Sequence, residues 1–518
     1  MNPLLLTDYY KVNHYRMYPE GTSKIYSNLT PRKARSGSIK EIVVFGIQYF
    51  IKDVLIEKWN KDFFEKPKDV VIAEYKRMMD FTLGAGAVEM GHIEQLWDLQ
   101  YLPLQIKALP EGSLCPIGVP CMTITNTVDH AYWLVNYLET VLSANVWGPI
   151  TSATIAHQYR KLLDAYAMET TGDISFVDWQ GHDFSARGLY GTEAMMMSGM
   201  GHLLSFKGTD TIPAIFAHEK YYNANVEKEL VGSSVPATEH SVMCMGSKDG
   251  EIDTFERLMD LYPTGILSVV SDTWNLWDVL TKFLPELKEK VLARDGKLVI
   301  RPDSGDPVDI ICGSIITPIW DGEKYLPESK GVIELLWDVF GGTVNEQGYK
   351  VLDSHVGAIY GDSITLARAE EICKRLKEKG FASTNIVLGI GSFTYQYNTR
   401  DTFGFAVKAT YGEVKHYKMS GVSVDELEIF KDPITDDGTK KSAKGLLRVE
   451  EVASPTGGTV YKLIDQVTKE MEQGGALETV FLDGKLTKDQ SLSEIRERLA
   501  KNYKYEQRES YQGVTETN

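Results

Sequence analysis

The segment VGAIYGDSITLARAEEICKRLKEKGFASTNIVLGIGS (356–392) contains a complete strand–helix–strand unit. It begins with an apolar run that ends in Gly-Asp-Ser, and a second apolar run, NIVLGIGS (385–392), ends in a glycine turn. Between them, ITLARAEEICKRLKEKG has the pattern of a helix, and Gly380 is a typical helix stop. Two strands joined through a helix predict a parallel pair in an α/β sheet.

The same pattern extends upstream of this segment. ILSVVSD (266–272) and KLVIRPDSGDP (297–307) are apolar strands that end in polar, turn-forming residues. Continuous apolar strands that alternate with helices predict a parallel sheet covered on both faces. Polar residues at the carboxyl ends of successive strands are typical of the active-site rim of a β/α barrel. An open doubly wound sheet follows the same rule and is the alternative, but we favour the barrel.

The rest of the chain has a different character. LPLQIKALPEGSLCPIGVPCMTITNT (102–127) is rich in proline and in β-type runs, which predicts a small all-β element. We therefore expect three parts. Residues 1–150 form a helical and β-rich portion of a β domain, and residues 151–404 form a barrel-like catalytic domain. Residues 405–518 return to the β-rich domain and end in a frayed tail.

The composition excludes several classes of protein. The 518 residues are 43% hydrophobic and 25% charged, as in ordinary globular proteins. The formal net charge of −17 disfavours nonspecific nucleic-acid binding, which needs a basic surface. The sequence has no apolar run of about 18 residues that could span a membrane, and its N-terminus does not look like a signal peptide. Five scattered cysteines without a CxxC pair favour a reducing cytoplasm.

Several strand ends carry candidate binding residues. Arg301 directly follows an apolar strand and needs an anionic or carbonyl partner, and Asp303 shares its general direction in an extended chain. Gly361-Asp362-Ser363 and Gly391-Ser392 are small-residue turns whose backbone N–H groups could bind phosphate, as strand loops commonly do in barrels. The alternative is ordinary turn chemistry, with Ser363 acting only as a helix cap.

His240, in GSSVPATEHS (232–241), is a candidate catalyst because histidine titrates near neutral pH. Asp272, at another strand end, could orient it by fixing its tautomer. A hydrolase triad is the weaker interpretation because no GxSxG motif is present. Histidine-ligated metal is also disfavoured, since the sequence has no HExxH motif.

Eight motifs together resemble one known family. They occur in order along residues 7–433: TDYYKVNHYRMYPEGTSKIYS, HDFSARG, FKGTDT, SVPATEHS, SVVSD, IRPDSGDP, YGDS and IFKDP. This set resembles the nicotinamide phosphoribosyltransferase family over nearly the whole chain. The resemblance implies the type II phosphoribosyltransferase fold, an irregular β/α barrel with an additional β-rich domain. It also implies a homodimer with active sites at the subunit interface.

The resemblance implies that nicotinamide and 5-phosphoribosyl 1-pyrophosphate react to give nicotinamide mononucleotide and pyrophosphate. Mg²⁺ would be the cofactor, and ATP would be a co-substrate hydrolysed through a phosphohistidine. Phe184 would stack on one face of nicotinamide and Tyr10 of the partner subunit on the other. Asp210 would accept a hydrogen bond from the carboxamide N–H₂, and Arg301 would donate to its C=O. Asp8 would be a further pocket residue.

The resemblance also implies residues that take part in the reaction and residues that bind phosphate. His240 would be the phosphorylated histidine, held by Asp272, and Asp303 would lie close to the ribose. Residues expected near the phosphoribosyl group and other phosphates are Arg187, Ser234, Ser268, Gly361, Asp362, Gly391, Ser392 and Arg400, with Arg32 and Lys431 as further cations.

This sequence departs from the family in two places. GIGSFTYQ (389–396) is poorer in glycine than the family segment, and residues 307–350 are longer. The nearest rival function is that of nicotinate phosphoribosyltransferase, and Asp210 distinguishes the two because a carboxylate repels a substrate carboxylate. More remote rivals are a non-catalytic binding protein with a degenerate site and a barrel glycosidase that uses Asp272 and Asp303.

Overall fold

A computed structural model describes residues 1–314, 326–361, 363–431, 443–453 and 459–502. Asp362, the middle of the 307–350 segment, most of the loop 429–445 and the C-terminal tail lie outside the described residues. The chain divides into two compact units. The first comprises Met1–Thr154, Ala217–Asn225 and the described residues from Asn398 onwards. The second comprises the described residues of Ile155–Phe216 and Val226–Tyr397.

The strands are numbered in chain order. They are β1 Thr22–Pro31, β2 Glu41–Val43, β3 Leu104–Ala108, β4 Leu114–Pro116, β5 Met122–Asn126, β6 Gly181–Asp183, β7 Gly208–Thr209, β8 Thr264–Val270, β9 Asp295–Arg301, β10 Gly342–Val344, β11 Lys350–Leu352, β12 Val356–Tyr360, β13 Ile386–Ile390, β14 Phe405–Lys418, β15 Gly421–Glu428, β16 Leu446–Ala453, β17 Thr459–Val467, β18 Glu478–Leu482 and β19 Lys485–Leu486.

The α-helices are α1 His14–Met17, α2 Ile47–Phe50, α3 Lys68–Leu83, α4 Gly91–Leu99, α5 Tyr132–Tyr137, α6 Glu139–Thr171, α7 Val177–Gln180, α8 Gly191–His202, α9 Ile212–Tyr222, α10 His240–Met245, α11 Glu251–Leu261, α12 Leu276–Asp278, α13 Leu284–Leu292, α14 Pro307–Cys312, α15 Pro327–Phe340, α16 Leu366–Glu378, α17 Ser392–Tyr395, α18 Lys469–Glu472 and α19 Leu492–Asn502. Among the described residues, three runs have π-type hydrogen bonding, namely Ile51–Lys58, Asn60–Phe64 and Val279–Phe283. Short 3₁₀ turns lie at Pro3–Leu5, Tyr9–Lys11, Asp129–Ala131, Ala186–Gly188, Ser383–Asn385 and Arg400–Thr402.

The first unit is built on an antiparallel sheet of seven strands in the order β15-β14-β1-β5-β3-β18-β19. Its longest pairing joins β1 to β14, from the Thr22–Val414 pair to the Pro31–Phe405 pair. Two small ladders, β2 with β4 and β16 with β17, accompany it. The predicted all-β element near residues 100–130 is confirmed, because it supplies β3, β4 and β5.

The second unit contains a parallel sheet of six strands in the order β7-β6-β13-β12-β9-β8. The four strands predicted from apolar runs are all present, as β8, β9, β12 and β13. The predicted helix between the last two is α16, and Gly380 follows it with φ +77°. A left-handed backbone conformation at that point suits glycine, which explains why the helix stops there.

An irregular segment, residues 233–238, connects the two edges of this sheet. The Ser233 carbonyl accepts a hydrogen bond of 3.0 Å from Thr209 N at the edge formed by β7. At the other edge, Thr238 N donates to the Ser268 carbonyl of β8 over 3.0 Å. Both contacts are parallel bridges rather than full strand pairings. The sheet therefore curls into an irregular barrel, and the alternative of an open doubly wound sheet is wrong.

Alternation along β9 shows which side of the sheet carries the polar residues. Leu298 and Ile300 are fully buried in the apolar core shared with the helices. Lys297, Val299 and Arg301 lie on the opposite side and are partly exposed. Since successive strand residues face opposite ways, Arg301 belongs to the inner side of the curled sheet.

No disulfide joins any of the five cysteines, all of which lie in the described residues, and of these five only Cys244 is exposed. Within the described ranges, no helix is both long enough and apolar enough to cross a membrane.

Candidate active site

The strand ends of the second unit bring candidate residues to one edge of the sheet. Phe184 follows β6, Asp210 follows β7, and Arg301 is the last residue of β9. All of these strands run parallel, so their carboxyl ends share that edge. Three residues distant in sequence thus form one pocket.

An aromatic ring and a cation define this pocket. The Phe184 backbone N donates to the Ile390 carbonyl over 3.0 Å, which places its ring beside β13. The Arg301 guanidinium carbon lies 5.5 Å from the ring centroid. Its Nε is buried and has no hydrogen-bond partner in the described parts of the chain. A cation near an aromatic face, with a donor to spare, suits a flat ligand that carries a hydrogen-bond acceptor.

Gly389 makes room for the aromatic ring. A Cβ at this position would lie 2.6 Å from Phe184 Cδ2, closer than real contacts allow. The first glycine of GIGS is therefore required for packing beneath the pocket.

The carboxylate of Asp210 accepts two hydrogen bonds on a single oxygen. His182 Nε2 lies 2.8 Å from Asp210 Oδ1, and Ser234 Oγ donates to the same oxygen over 2.6 Å. Partial burial would raise the pKa of Asp210, but these bonds and the charge of Arg301 outweigh it and lower the pKa. Asp210 is therefore an ionised acceptor at neutral pH.

Asp183 stabilises the turns that carry the pocket residues, although the HDFSARG motif predicted no role for it. It is fully buried, and its Oδ1 accepts from Ser185 N over 2.9 Å and from Ser185 Oγ over 2.6 Å. Its Oδ2 accepts from Thr211 Oγ1 over 2.7 Å. Asp183 therefore holds the turns that follow β6 and β7. The available signal was the Asp-x-Ser spacing, which is typical of a side-chain-capped turn.

His240 and Asp272 lie side by side. His240 begins α10 and its side chain is 49% exposed, whereas that of Asp272 is only 5% exposed. His240 Nε2 lies 3.5 Å from Asp272 Oδ1, a buried oxygen that has no hydrogen-bond partner among the described residues. The other oxygen, Oδ2, accepts from Asp303 N over 2.9 Å and from Ser304 Oγ over 2.6 Å. One carboxylate therefore contacts the histidine and also fixes the turn that carries Asp303.

Glu251 is a buried acid near this pair that sequence analysis missed. It is 2% exposed, and its Oε1 has no hydrogen-bond partner in the described structure. Burial, together with the negative charges of Asp278 and Asp272, raises its pKa to about 7. A glutamate at the start of α11 resembles an ordinary first-turn acid in sequence, so its burial could not be foreseen.

Small residues make close approach possible at the turns for which the sequence predicts phosphate binding. A Cβ at Gly361 would lie 2.7 Å from Asp303 Oδ1. A Cβ at Gly188 would lie 2.1 Å from Ser392 Oγ, so the turn after Arg187 packs against the GIGS turn. Thr365, not Ser363, caps α16, because its side chain accepts from Arg368 N. The interpretation of Ser363 as a simple helix cap is therefore wrong.

The remaining predicted site residues lie in several different environments. Ser268 is buried in β8, and Arg187 is exposed. Five candidates belong to the first unit: Asp8, Tyr10, Arg32, Arg400 and Lys431. Asp8 accepts a hydrogen bond from Thr140 Oγ1 over 2.7 Å, and Arg32 Nε donates to the Gly404 carbonyl. Tyr10 is 62% exposed, and Arg400 and Lys431 are also exposed. Asp362 is not among the described residues, so its prediction stays open.

Two family models match the sequence. The model of the nicotinate phosphoribosyltransferase (NAPRTase) family matches residues 179–498, and that of the nicotinamide phosphoribosyltransferase N-terminal domain matches residues 2–82. A protein of Acinetobacter baylyi named nicotinamide phosphoribosyltransferase is 53% identical over 96% of this chain and 97% of its own length.

Solved structures with low sequence identity share the fold. The nicotinate-nucleotide pyrophosphorylase of Pyrococcus furiosus has a TM-score of 0.52 at 13% identity, covering 96% of this chain and 95% of its own. Human nicotinic acid phosphoribosyltransferase has a TM-score of 0.51 at 14% identity, covering 96% and 93%. At such identities the likeness concerns the fold, and it agrees with an irregular barrel joined to a β-rich domain.

Proposed function

The chain belongs to the nicotinamide phosphoribosyltransferase family, and we propose that the pocket of Phe184, Asp210 and Arg301 binds its nicotinamide. The enzyme transfers the phosphoribosyl group of 5-phosphoribosyl 1-pyrophosphate to nicotinamide, giving nicotinamide mononucleotide and pyrophosphate in NAD salvage. The observation that best supports this pocket is the grouping of an aromatic ring, an ionised carboxylate and a guanidinium at the carboxyl ends of β6, β7 and β9 in one sheet.

The carboxamide of nicotinamide has both a donor and an acceptor, and the pocket offers the complement of each. Asp210 accepts from the N–H₂ group and Arg301, whose Nε lacks a partner among the described residues, donates to the C=O. Phe184 stacks against the pyridine ring. These contacts hold the ring nitrogen toward the ribose, which is the orientation that the substitution requires.

In the substitution, the pyridine nitrogen forms a bond to the anomeric carbon while the bond from that carbon to the pyrophosphate oxygen breaks. Positive charge develops on the ribose, and the carboxylate of Asp303 lies close enough in the proposed complex to stabilise it. The ribose and its 5′-phosphate are held by Arg187, Ser268, Gly361, Asp362, Gly391, Ser392 and Arg400. Further phosphate-side contacts come from Ser234, Arg32 and Lys431, while Asp8 contributes to the nicotinamide pocket.

The acids present fit a magnesium ion that is shared with substrate. In the described ranges, no three His, Cys, Asp or Glu side chains converge as a protein-only metal site. Asp272 has a buried oxygen, Oδ1, without a hydrogen-bond partner among the described residues, and its other oxygen, Oδ2, accepts from the backbone N of Asp303. Mg²⁺ often binds through one or two carboxylates plus substrate phosphates. When bound, it neutralises charge on the departing pyrophosphate. Asp272 and Asp303 would supply the protein ligands.

His240 is proposed to carry a phosphoryl group from ATP. A ring nitrogen of His240 bonds to the γ-phosphorus as ADP leaves, and water later releases phosphate. Asp272 Oδ1 lies 3.5 Å from His240 Nε2, so this carboxylate is near enough to orient the imidazole during the transfer. The exposure of the imidazole is compatible with access by ATP.

The proposal includes a homodimer in which Tyr10 of the partner subunit covers the nicotinamide. Tyr10 is 62% exposed, as a residue that packs against a second chain would be in an isolated subunit. A cytoplasmic location is part of the same proposal, supported by five cysteines that form no disulfide.

Comparison of the two pyridine bases tests the proposed pocket. Two negative charges about 4 Å apart repel by roughly 1 kcal/mol in water and roughly 4 kcal/mol near a protein surface. Asp210 is 44% exposed, so the lower figure applies, which predicts at least a roughly fivefold preference for nicotinamide in kcat/KM. Asp210→Asn keeps the shape, removes the charge and should erode this preference. Equal use of nicotinate by the unaltered enzyme would contradict the proposal.

A further inference from the structure

The geometry around Asp210 assigns a role to His182, the first residue of the HDFSARG motif, for which the sequence predicted no role. His182 is the middle residue of β6, and its side chain is 11% exposed. Its Nε2 and the hydroxyl of Ser234 both approach Asp210 Oδ1, at 2.8 and 2.6 Å. Within the described chain, no protein group hydrogen-bonds to the second oxygen of Asp210, Oδ2. The two oxygens of this carboxylate are therefore not equivalent.

The imidazole of His182 is held in place by its neighbours. Its ring lies 4.6 Å from the Phe184 ring between centroids, at an interplanar angle of 40°. On the neighbouring strand it pairs with Gly208, where a Cβ would lie 2.7 Å from His182 Nδ1. A ring confined in this way cannot turn freely, so Nε2 stays directed at Asp210. Because Asp210 is ionised, that nitrogen must carry the proton.

We propose that His182 is a positioning residue that directs Oδ2 of Asp210 toward the substrate and thereby sets the preference for an amide over an acid. The inference rests on the proposed nicotinamide pocket and deepens it. With two donors on Oδ1, the carboxylate has a fixed rotation and one free acceptor. A carboxamide N–H₂ satisfies that acceptor, whereas a substrate carboxylate meets it with like charge.

Loss of the His182 donor would reduce the preference for nicotinamide over nicotinate in two ways. Asp210 could rotate, so its alignment with the carboxamide would deteriorate. A carboxylate that can turn away would also repel a substrate carboxylate less strongly than one held in a fixed orientation. Use of nicotinamide should therefore fall while use of nicotinate rises or holds. A purely structural role would lower both together.

Two side-chain amides provide a matched pair of variants. The glutamine nitrogen in His182→Gln reaches the position of Nε2 and keeps a donor to Asp210, whereas the shorter asparagine in His182→Asn does not. The measurement is kcat/KM for nicotinamide and nicotinate at saturating phosphoribosyl pyrophosphate. We expect the nicotinamide-to-nicotinate ratio to fall roughly tenfold in His182→Asn and to stay within about threefold in His182→Gln.

An unchanged ratio in His182→Asn, or an equal fall in both bases, overturns the inference. If the asparagine variant does not fold, Ser234→Ala replaces it, since it removes the other donor to the same oxygen. The ratio should fall there too, and a constant ratio in Ser234→Ala contradicts the role of Oδ1. Failure of the proposed function is seen separately, because it would appear as a lack of nicotinamide preference in the unaltered enzyme.

Discussion

Gly361→Ala should impair catalysis while leaving the fold intact. An alanine Cβ at this position would lie 2.7 Å from Asp303 Oδ1 and 3.6 Å from Arg301 Nε. The backbone of Gly361 does not have a positive φ, so the substitution causes no backbone strain. The entire effect therefore comes from a methyl group pressed against the carboxylate of Asp303.

The size of the displacement follows from the contact distance. An ordinary contact begins at 3.4 Å, so the methyl group and the carboxylate must separate by about 0.7 Å. The backbone N of Asp303 donates a hydrogen bond to Asp272, so the Asp303 side chain will move rather than the turn that carries it. Misplacement of a reacting group by about 1 Å can cost roughly a hundredfold in rate. We expect kcat/KM for nicotinamide to fall between about tenfold and a hundredfold, and stability to change by less than about 1 kcal/mol.

Steady-state kinetics and thermal unfolding together check this prediction. The control is Gly148→Ala within α6, where a Cβ meets nothing within 4 Å and activity should not change. In an Asp303→Ala background the added methyl of Gly361→Ala has no carboxylate to meet, so it should cost little more. The reasoning is refuted if Gly361→Ala keeps full activity, or if its effect is as large without the Asp303 carboxylate as with it.

Three further predictions concern other parts of the site. Incubation with ATP should give an acid-labile phosphohistidine that is absent in His240→Ala, and phosphate that persists in that variant would remove His240 from the role. Glu251 has a folded-state pKa raised from 4.5 to about 7, so its burial destabilises the fold as pH rises through that window. Glu251→Gln should accordingly gain melting temperature relative to the unaltered enzyme at pH 8 but not at pH 4, and equal shifts at both would contradict this. Inactive Phe184→Ala and Tyr10→Ala subunits, once mixed, should regain part of the activity if each site uses both chains, and no recovery from proven mixed dimers would count against the shared site.

Much of the barrel was predictable because its signals are local. Each of β8, β9, β12 and β13 is a short apolar run that ends in a turn, and the helix between the last two has its own stop at Gly380. The closure of the sheet was not predictable. Residues 233–238 contain no apolar alternation, and their bridges to β7 and β8 depend on contacts between remote segments. The pairing of β1 with β14 in the first unit has the same long-range origin.

The charged and aromatic groups of the candidate site could be predicted from the sequence. The buried residues that surround and position them could not. Arg301 stands out because it follows an apolar run, whereas Phe184 and Asp210 are indicated only by the family motifs HDFSARG and FKGTDT. His182 and Glu251 do not stand out, since one lies within a strand and the other begins a helix like many surface acids. What marks them is burial together with the atoms they face. Those properties depend on the packing of separate elements, which a linear pattern does not contain.

The contacts of Asp272 suggest how the two halves of the proposed reaction are connected. Oδ1 faces the imidazole of His240, while Oδ2 holds the backbone of Asp303 and the hydroxyl of Ser304. A phosphoryl group on His240 adds negative charge beside a carboxylate that is 5% exposed. A buried carboxylate cannot be screened well by water, so that repulsion must be relieved by movement or by a cation. Either response acts on the turn that carries Asp303, and so on the ribose side of the site. In the proposed reaction, the phosphorylation state of His240 is therefore transmitted to the phosphoribosyl group through Asp272 itself.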